Sequence, residues 1–392
     1  MSRYLFFPFP MHGHVNPLLP LVRELLARQE EVMVVVDETF APSFLDAGAA
    51  VTTISTSVRQ SVPERARRGG RYRRWRTNSA VRQRRAALVD EWVRDWSRWA
   101  PDVVVADIYA EWGGAAARRT GTPLASFTGT YAVSRRMARE GVRRAIGPVT
   151  AALLDRSGLL RIVHPALRDR AQLALVNSTE VVQPERDSFD ERYRFVGPLL
   201  RDGADGMDEL PWDRLTADRV LFVSPGTVFK REARFFRDIV DAFVDTEWAL
   251  VLATAATDPT ELGPLPPNVI ARRYVDQSTV LRRSDVFLTH AGMNSVLEAI
   301  LHRVPMLCAP RSLDQKGITA RLADLGVGRP LDPSWTGAQL LAAVREIADD
   351  PAVRADLDRL ATPMAAARPA ASAADALGEL AERHRAAGVT RR

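Results

Sequence analysis

A chain of 392 residues, 46% of them hydrophobic, exceeds what one typical core holds and favours two domains. A single cysteine, Cys308, excludes an internal disulfide, and no apolar run approaches the roughly 20 residues of a membrane-spanning helix. The formal charge of +6 is almost wholly arginine, since the only lysines are Lys230 and Lys316; the expectation is a soluble, cytoplasmic protein without a secretion signal.

Tyr4–Phe9 reads as a buried strand, short, apolar and aromatic. A polar loop over His12–Asn16 follows, and Asn16-Pro17 predicts a helix start with Asn as cap and Pro at the first helical position. Leu18, Leu21, Val22, Leu25 and Leu26 then form an apolar stripe at helical spacing, and Val32–Val36 is a second buried strand. This βαβ opening implies a parallel sheet. The arginine-rich segment Arg59–Arg85 fits a solvated surface stretch or a loop facing an acceptor or partner. No recognised nucleic-acid motif accompanies it, so nucleic acid is not expected as a partner. Asp102–Asp107 is a strand ending in an acid, followed by a helix containing Ala115–Arg119 and strands at Pro123–Phe127, Leu173–Asn177 and Phe195–Val196.

Residues 201–218 are acidic and rich in turn formers, as expected of a linker. The pattern then restarts. Strands are expected at Val220–Val223, Ala249–Ala253, Val286–Thr289 and Met306–Ala309, with helices at about Asn294–Leu301, Ala338–Ile347, Ala352–Leu360 and Ala370–Arg385. The expected fold is α/β, with two doubly wound Rossmann-like domains facing each other across a cleft: residues 1–200, a linker at 201–218, a second domain at 219–375, and a tail at 376–392 returning toward the first domain.

Three loops follow strands, where α/β sheets bind ligands. Thr289-His290-Ala291-Gly292-Met293-Asn294-Ser295-Val296-Leu297-Glu298 joins a strand to a helix start near Asn294. Its glycine admits a ligand to the backbone, the first-turn N–H groups form an anion site, and His290 adds a donor; a diphosphate fits. Ser295-x-x-Glu298 equally fits a capping box, which needs no ligand. Ser224-Pro225-Gly226-Thr227 offers a hydroxyl and exposed N–H groups, or a plain βα turn. Met11-His12-Gly13-His14 follows the first strand and is not the Gly-x-Gly-x-x-Gly dinucleotide fingerprint. A histidine at that strand tip is placed to act as a general base, with Asp107 as its orienting acid; histidines bonded to loop carbonyls are the alternative. Two histidines at i, i+2 without a third ligand do not make a metal site. Asp356-Leu357-Asp358 falls in an expected surface helix, a poor place for a divalent metal.

Assembled, these residues resemble the family 1 glycosyltransferases of GT-B fold, in particular the bacterial macrolide and natural-product type. The resemblance spans nearly the whole chain. It is carried by Tyr274-Val275-Asp276-Gln277, Thr289-His290-Ala291-Gly292-Met293-Asn294-Ser295-x-x-Glu298, Asp314-Gln315 and the N-terminal His12-Gly13-His14-x-Asn16-Pro17. It implies His12 as catalytic base and Asp107 as its partner. It implies His290 as the donor diphosphate ligand, with Thr227, Gly292, Asn294 and Ser295 around the phosphates. Glu298 would hold the ribose, Asp314 and Gln315 the sugar hydroxyls, and Gln277 with the backbone near Val275 the base and ribose. The sequence departs from the family where Tyr274 replaces a tryptophan and Asp276 a proline.

The resemblance implies an inverting, metal-independent transfer of a hexose from a UDP- or dTDP-sugar, a co-substrate and not a cofactor, to a hydroxyl of a small-molecule acceptor. Oligomeric state is left open, a homodimer included. A sugar-nucleotide epimerase and a non-catalytic sugar-nucleotide-binding helper are the alternatives. An epimerase turns donor over without acceptor, and a helper binds donor without turnover.

Overall fold

The computed structural model of the chain describes residues 1–54, 93, 96, 99–158, 170–201, 210–215, 217–226 and 231–389. The Arg59–Arg85 segment, Thr227 and much of residues 201–218 lie outside the described residues. The chain divides into two units. Unit 1 comprises Met1–Asn177, Glu185–Leu199 and Arg368–Arg392, and unit 2 comprises Ser178–Pro184 and Leu200–Ala367.

Unit 1 opens with β1 (Arg3–Phe7), a single helical turn α1 (His12–Val15), α2 (Leu18–Ala27), β2 (Glu31–Asp37), α3 (Ala41–Asp46) and β3 (Ala50–Ile54). It continues with β4 (Val103–Asp107), α4 (Glu111–Thr120), β5 (Leu124–Thr128), α5 (Arg135–Ile146), α6 (Pro148–Arg156), β6 (Leu173–Val176) and β7 (Tyr193–Phe195). Among the described residues the strands form one parallel sheet of order β3-β2-β1-β4-β5-β6-β7. β1 lies between β2 and β4, with Phe6 opposite Val34 on one side and Val105 on the other. Interior strands covered on both faces need apolar side chains throughout, which is why β1, β4 and β6 read as continuous apolar runs. The α2 stripe of Leu18, Leu21, Val22 and Leu25 is fully buried against this sheet, each side chain contributing about 1.5–3 kcal/mol by leaving water.

Unit 2 repeats the plan with β8 (Arg219–Ser224), α7 (Ala233–Phe243), β9 (Trp248–Ala253), β10 (Val269–Arg272), α8 (Gln277–Leu281) and β11 (Val286–Thr289). Then come α9 (Met293–Leu301), β12 (Met306–Cys308), α10 (Leu313–Asp324), β13 (Gly328–Pro330), α11 (Gly337–Asp349) and α12 (Pro351–Ala366). The described strands pair in parallel in the order β10-β9-β8-β11-β12-β13. The last helix, α13 (Pro369–Val389), leaves unit 2 and buries Ala373, Leu377, Leu380 and Ala381 in the same core as the α2 stripe. Unit 1 therefore resumes at Arg368, ahead of residue 376.

In each sheet the strand order reverses once, between β1 and β4 in unit 1 and between β8 and β11 in unit 2. That reversal opens a crevice at the carboxyl ends of the two strands, because their following helices lie on opposite faces. Two local expectations fail here. The stretch read as a polar loop, His12–Asn16, is mostly helical, and Asn16 closes α1; the cap of α2 is Pro17, with no side-chain bond.

Candidate functional site

In unit 1 the chemistry-bearing side chains meet at the β1/β4 crevice. Asp107, the last residue of β4, is 2% exposed. Its Oδ2 lies 2.7 Å from Nδ1 of His14, and its Oδ1 accepts from the Tyr109 backbone N–H at 2.9 Å. A carboxylate only accepts, so the His14 Nδ1 that faces it carries a proton, and in the neutral ring that makes Nε2 the acceptor. Aromatic rings wall the imidazole: Phe9 at 5.4 Å and Tyr109 at 5.6 Å between centroids, both edge-on, with Tyr109 43% exposed. Gly129 lets the loop after β5 press against α1. A Cβ there would come 2.8 Å from the Gly13 carbonyl oxygen and 3.6 Å from His14 Nδ1.

The pairing expected for His12 is corrected. His12 is exposed at the start of α1 and sets its ring edge-on to Phe40 at 5.0 Å. Residues two apart on a helix differ by about 200° in direction, so only one of the two histidines can reach Asp107. No sequence signal separates them, since the difference arises from the helical turn.

In unit 2 the β8/β11 crevice holds a second imidazole. His290 follows β11, and its ring lies in a slot between Gly226, after β8, and Gly292, the cap of α9. A Cβ at Gly226 would lie 2.6 Å from the ring, and one at Gly292 closer still. Ala291 between them takes a left-handed φ of 61°, a strained conformation of the kind that gathers at ligand sites. Burial above all holds the imidazole down to about 4; the Arg231 charge adds to this, while the Ser224 backbone and the Asp314 charge oppose it. At neutral pH His290 is therefore a neutral hydrogen-bond donor. It stands beside the first turn of α9, whose N–H groups lack intrahelical acceptors.

One turn further on, Gln277 Nε2 donates to Glu298 Oε2 at 2.7 Å and approaches Ser295 Oγ at 3.2 Å. Burial pushes the Glu298 carboxyl up to about 7, opposed by the Gln277 bond and reinforced by the Asp276 charge. The capping-box reading of Ser295 and Glu298 is excluded, because α9 starts at Met293 with Gly292 as its cap, and both side chains turn to Gln277. Asp276 caps α8, accepting from the Thr279 N–H and hydroxyl; that is its local use where the family has proline.

The remaining expected residues divide. Asn294 lies in the first turn of α9, partly buried, and Asp314 is exposed in the first turn of α10, close enough to act on His290. Gln315 is buried and its Oε1 already accepts from the Arg311 and Ser312 N–H groups, closing the capping box of α10. Tyr274 is 56% exposed and Val275 partly buried; Thr227 lies outside the described residues. Asp356 and Asp358 are taken up in surface ion pairs with Arg359 and Arg303. Among the described residues no group of three His, Cys, Asp or Glu side chains is placed to hold a metal ion, and no helix is long and apolar enough to cross a membrane.

Comparison with known proteins gives a consistent picture. Residues 237–380 match the family described as erythromycin biosynthesis protein CIII-like, C-terminal domain. The oleandomycin glycosyltransferase of Streptomyces antibioticus is 32% identical over 400 residues, covering 96% of this chain and 91% of that protein. An NDP-glycosyltransferase of Bacillus licheniformis is 27% identical over 355 residues, 88% of this chain and 89% of its own. The crystal structure of a calicheamicin glycosyltransferase superposes with a TM-score of 0.80 at 29% identity, covering 98% of this chain and 99% of its own.

Proposed function

Because this chain belongs to the family 1 glycosyltransferases of bacterial natural-product type, we propose that it moves a hexose from a UDP- or dTDP-sugar to a hydroxyl of a small, largely apolar acceptor, with inversion and without a metal. The observation that carries this reading is the bond between His14 Nδ1 and the buried Asp107.

His14 Nε2 takes the proton from the acceptor hydroxyl as that oxygen attacks the anomeric carbon. Asp107 holds the ring in the accepting tautomer and stabilises the imidazolium that forms. The bond from the anomeric carbon to the pyrophosphate oxygen breaks in the same displacement, and the leaving pyrophosphate gains negative charge. Neutral His290 and the first-turn N–H groups of α9 donate to that charge where other enzymes use a cation. Glu298 accepts from the ribose hydroxyls, aimed by Gln277. Phe9 and Tyr109 favour a planar, apolar acceptor body beside His14.

The test is a donor panel, UDP-glucose and dTDP-glucose first, with a phenolic acceptor and the product anomer assigned by NMR. An α-linked donor should give a β-glycoside with chelator present. An α-glycoside, or a need for divalent metal, defeats the mechanism. Turnover of donor without acceptor favours an epimerase instead.

A further inference from the structure

Unit 2 contains a cavity of about 460 Å³ that shares no lining residue with the donor-motif side chains above. It lies among α7, α10, α11 and the segments following β12 and β13. Its charged lining comprises two cations, Arg231 and Lys316, and two acids, Asp238 and Asp332. The acids are already engaged: Asp238 faces Arg234 at 3.7 Å, and Asp332 accepts from the Ser334 N–H and hydroxyl at 2.8 and 2.7 Å. The cations are not matched in this way.

Arg231 donates through Nη2 to the Ala309 carbonyl at 2.9 Å and stacks its guanidinium 4.6 Å from the Phe235 ring centroid. Its Nε is buried with no hydrogen-bond partner, and no carboxylate pairs with it among the described residues. Burial and the like charge of Arg311 both weaken its hold on a proton. A half-buried guanidinium facing a second cation is destabilised until an anion compensates it. Lys316, one of only two lysines in the chain, is exposed on α10, and its ammonium has no hydrogen-bond or ion-pair partner among the described residues. The remaining wall is mostly apolar, with Trp335 and Leu340 prominent.

We infer that this cavity is a second binding site, for a small amphipathic anion whose carboxylate is recognised by Arg231 and Lys316 and whose apolar ring lies against Trp335. Unpaired cations on an apolar wall favour such a ligand over a neutral one, because a carboxylate compensates the half-buried Arg231 charge whereas a neutral ring leaves it uncompensated. Arg231 also acts on His290 electrostatically, so the donor's own phosphate is the competing source of the anion.

The test is calorimetric titration of the full chain with 2-naphthoate, and with uncharged 2-naphthamide as control. Naphthoate is expected to bind and to stay bound under saturating UDP. Lys316→Gln should weaken it about tenfold, Arg231→Gln by at least as much, and Trp335→Phe measurably, with naphthamide indifferent to both charge changes. Lys316 is exposed, so its variant keeps the question answerable even if Arg231→Gln fails to fold. No naphthoate binding, or equal affinity in Lys316→Gln, overturns the site. Displacement by UDP together with weaker UDP binding in Lys316→Gln assigns the two cations to the donor pyrophosphate instead.

Discussion

His14 Nδ1 lies 2.7 Å from Asp107 Oδ2, while His12, two residues earlier, turns away to the edge of Phe40. Asp107 is therefore paired with His14 and not with His12, the histidine that the family resemblance implied as base. The expected consequence is a sharp asymmetry. His14→Ala should lower kcat by about 10²–10⁴ with UDP affinity unchanged, whereas His12→Ala should stay within a few-fold of wild type. Steady-state kinetics beside UDP titrations decide it, and the reverse ranking would return the base role to His12.

Asp107→Asn keeps the shape of the carboxyl but replaces an acceptor-only group by an amide that can present N–H to Nδ1. That favours the tautomer with its proton on Nε2, the wrong one for accepting a proton from the acceptor. Turnover should fall by about 10²-fold or more. Because His290 and α9 belong to the other unit, donor affinity should hold. A parallel loss of UDP binding would point to misfolding instead.

Gly226→Ala should weaken UDP binding about tenfold or more, since the new methyl group would occupy the His290 ring position. Gly226 also has a φ of +78°, which by itself strains an alanine. Gly263→Ala separates the two effects: φ there is +76°, yet nothing lies within 4 Å of the added Cβ. Thermal melts and UDP titrations of both variants should show a stability loss in each, larger in Gly226→Ala, and a binding loss in Gly226→Ala alone.

Glu298 gives a pH signature. Its carboxyl is raised from 4.5 to about 7 in the folded chain, so between those values the native state holds a proton that the unfolded state releases. Stability contributed by this group is then greatest below about pH 4.5 and declines as pH rises toward 7, by on the order of 3 kcal/mol in all. Glu298→Gln, neutral at every pH, should melt higher than wild type at pH 8, with the gap closing toward pH 5. A pH-independent gap would mean that Glu298 is ionised in the nucleotide-free protein throughout this range.

The sheet interiors were legible in the sequence. β1, β4, β8, β9 and β11 are apolar runs because both of their faces are covered. The strands that the sequence pattern does not reveal, β3, β10 and β13, each form an edge of their sheet, where one neighbour is missing and the apolar run shortens. Asp107 and His290 were recognisable because each stands at a strand tip, and Gln277 and Glu298 only through the resemblance of their surrounding motif to the family's. Arg231 was not, since in a chain this rich in arginine its type carries no signal; only its burial without a carboxylate sets it apart.

By itself, then, the order of apolar runs and turn residues determined two parallel-sheet units and the crevices at their strand ends. Which imidazole faces Asp107, which carboxyl is lifted toward neutrality, and which glycines make room for the His290 ring were decided only by the tertiary structure. The reason is physical: hydrophobic periodicity is local along the chain, whereas hydrogen-bond direction, desolvation and steric room depend on atoms far apart in sequence, such as residues 14 and 107 or 226 and 290.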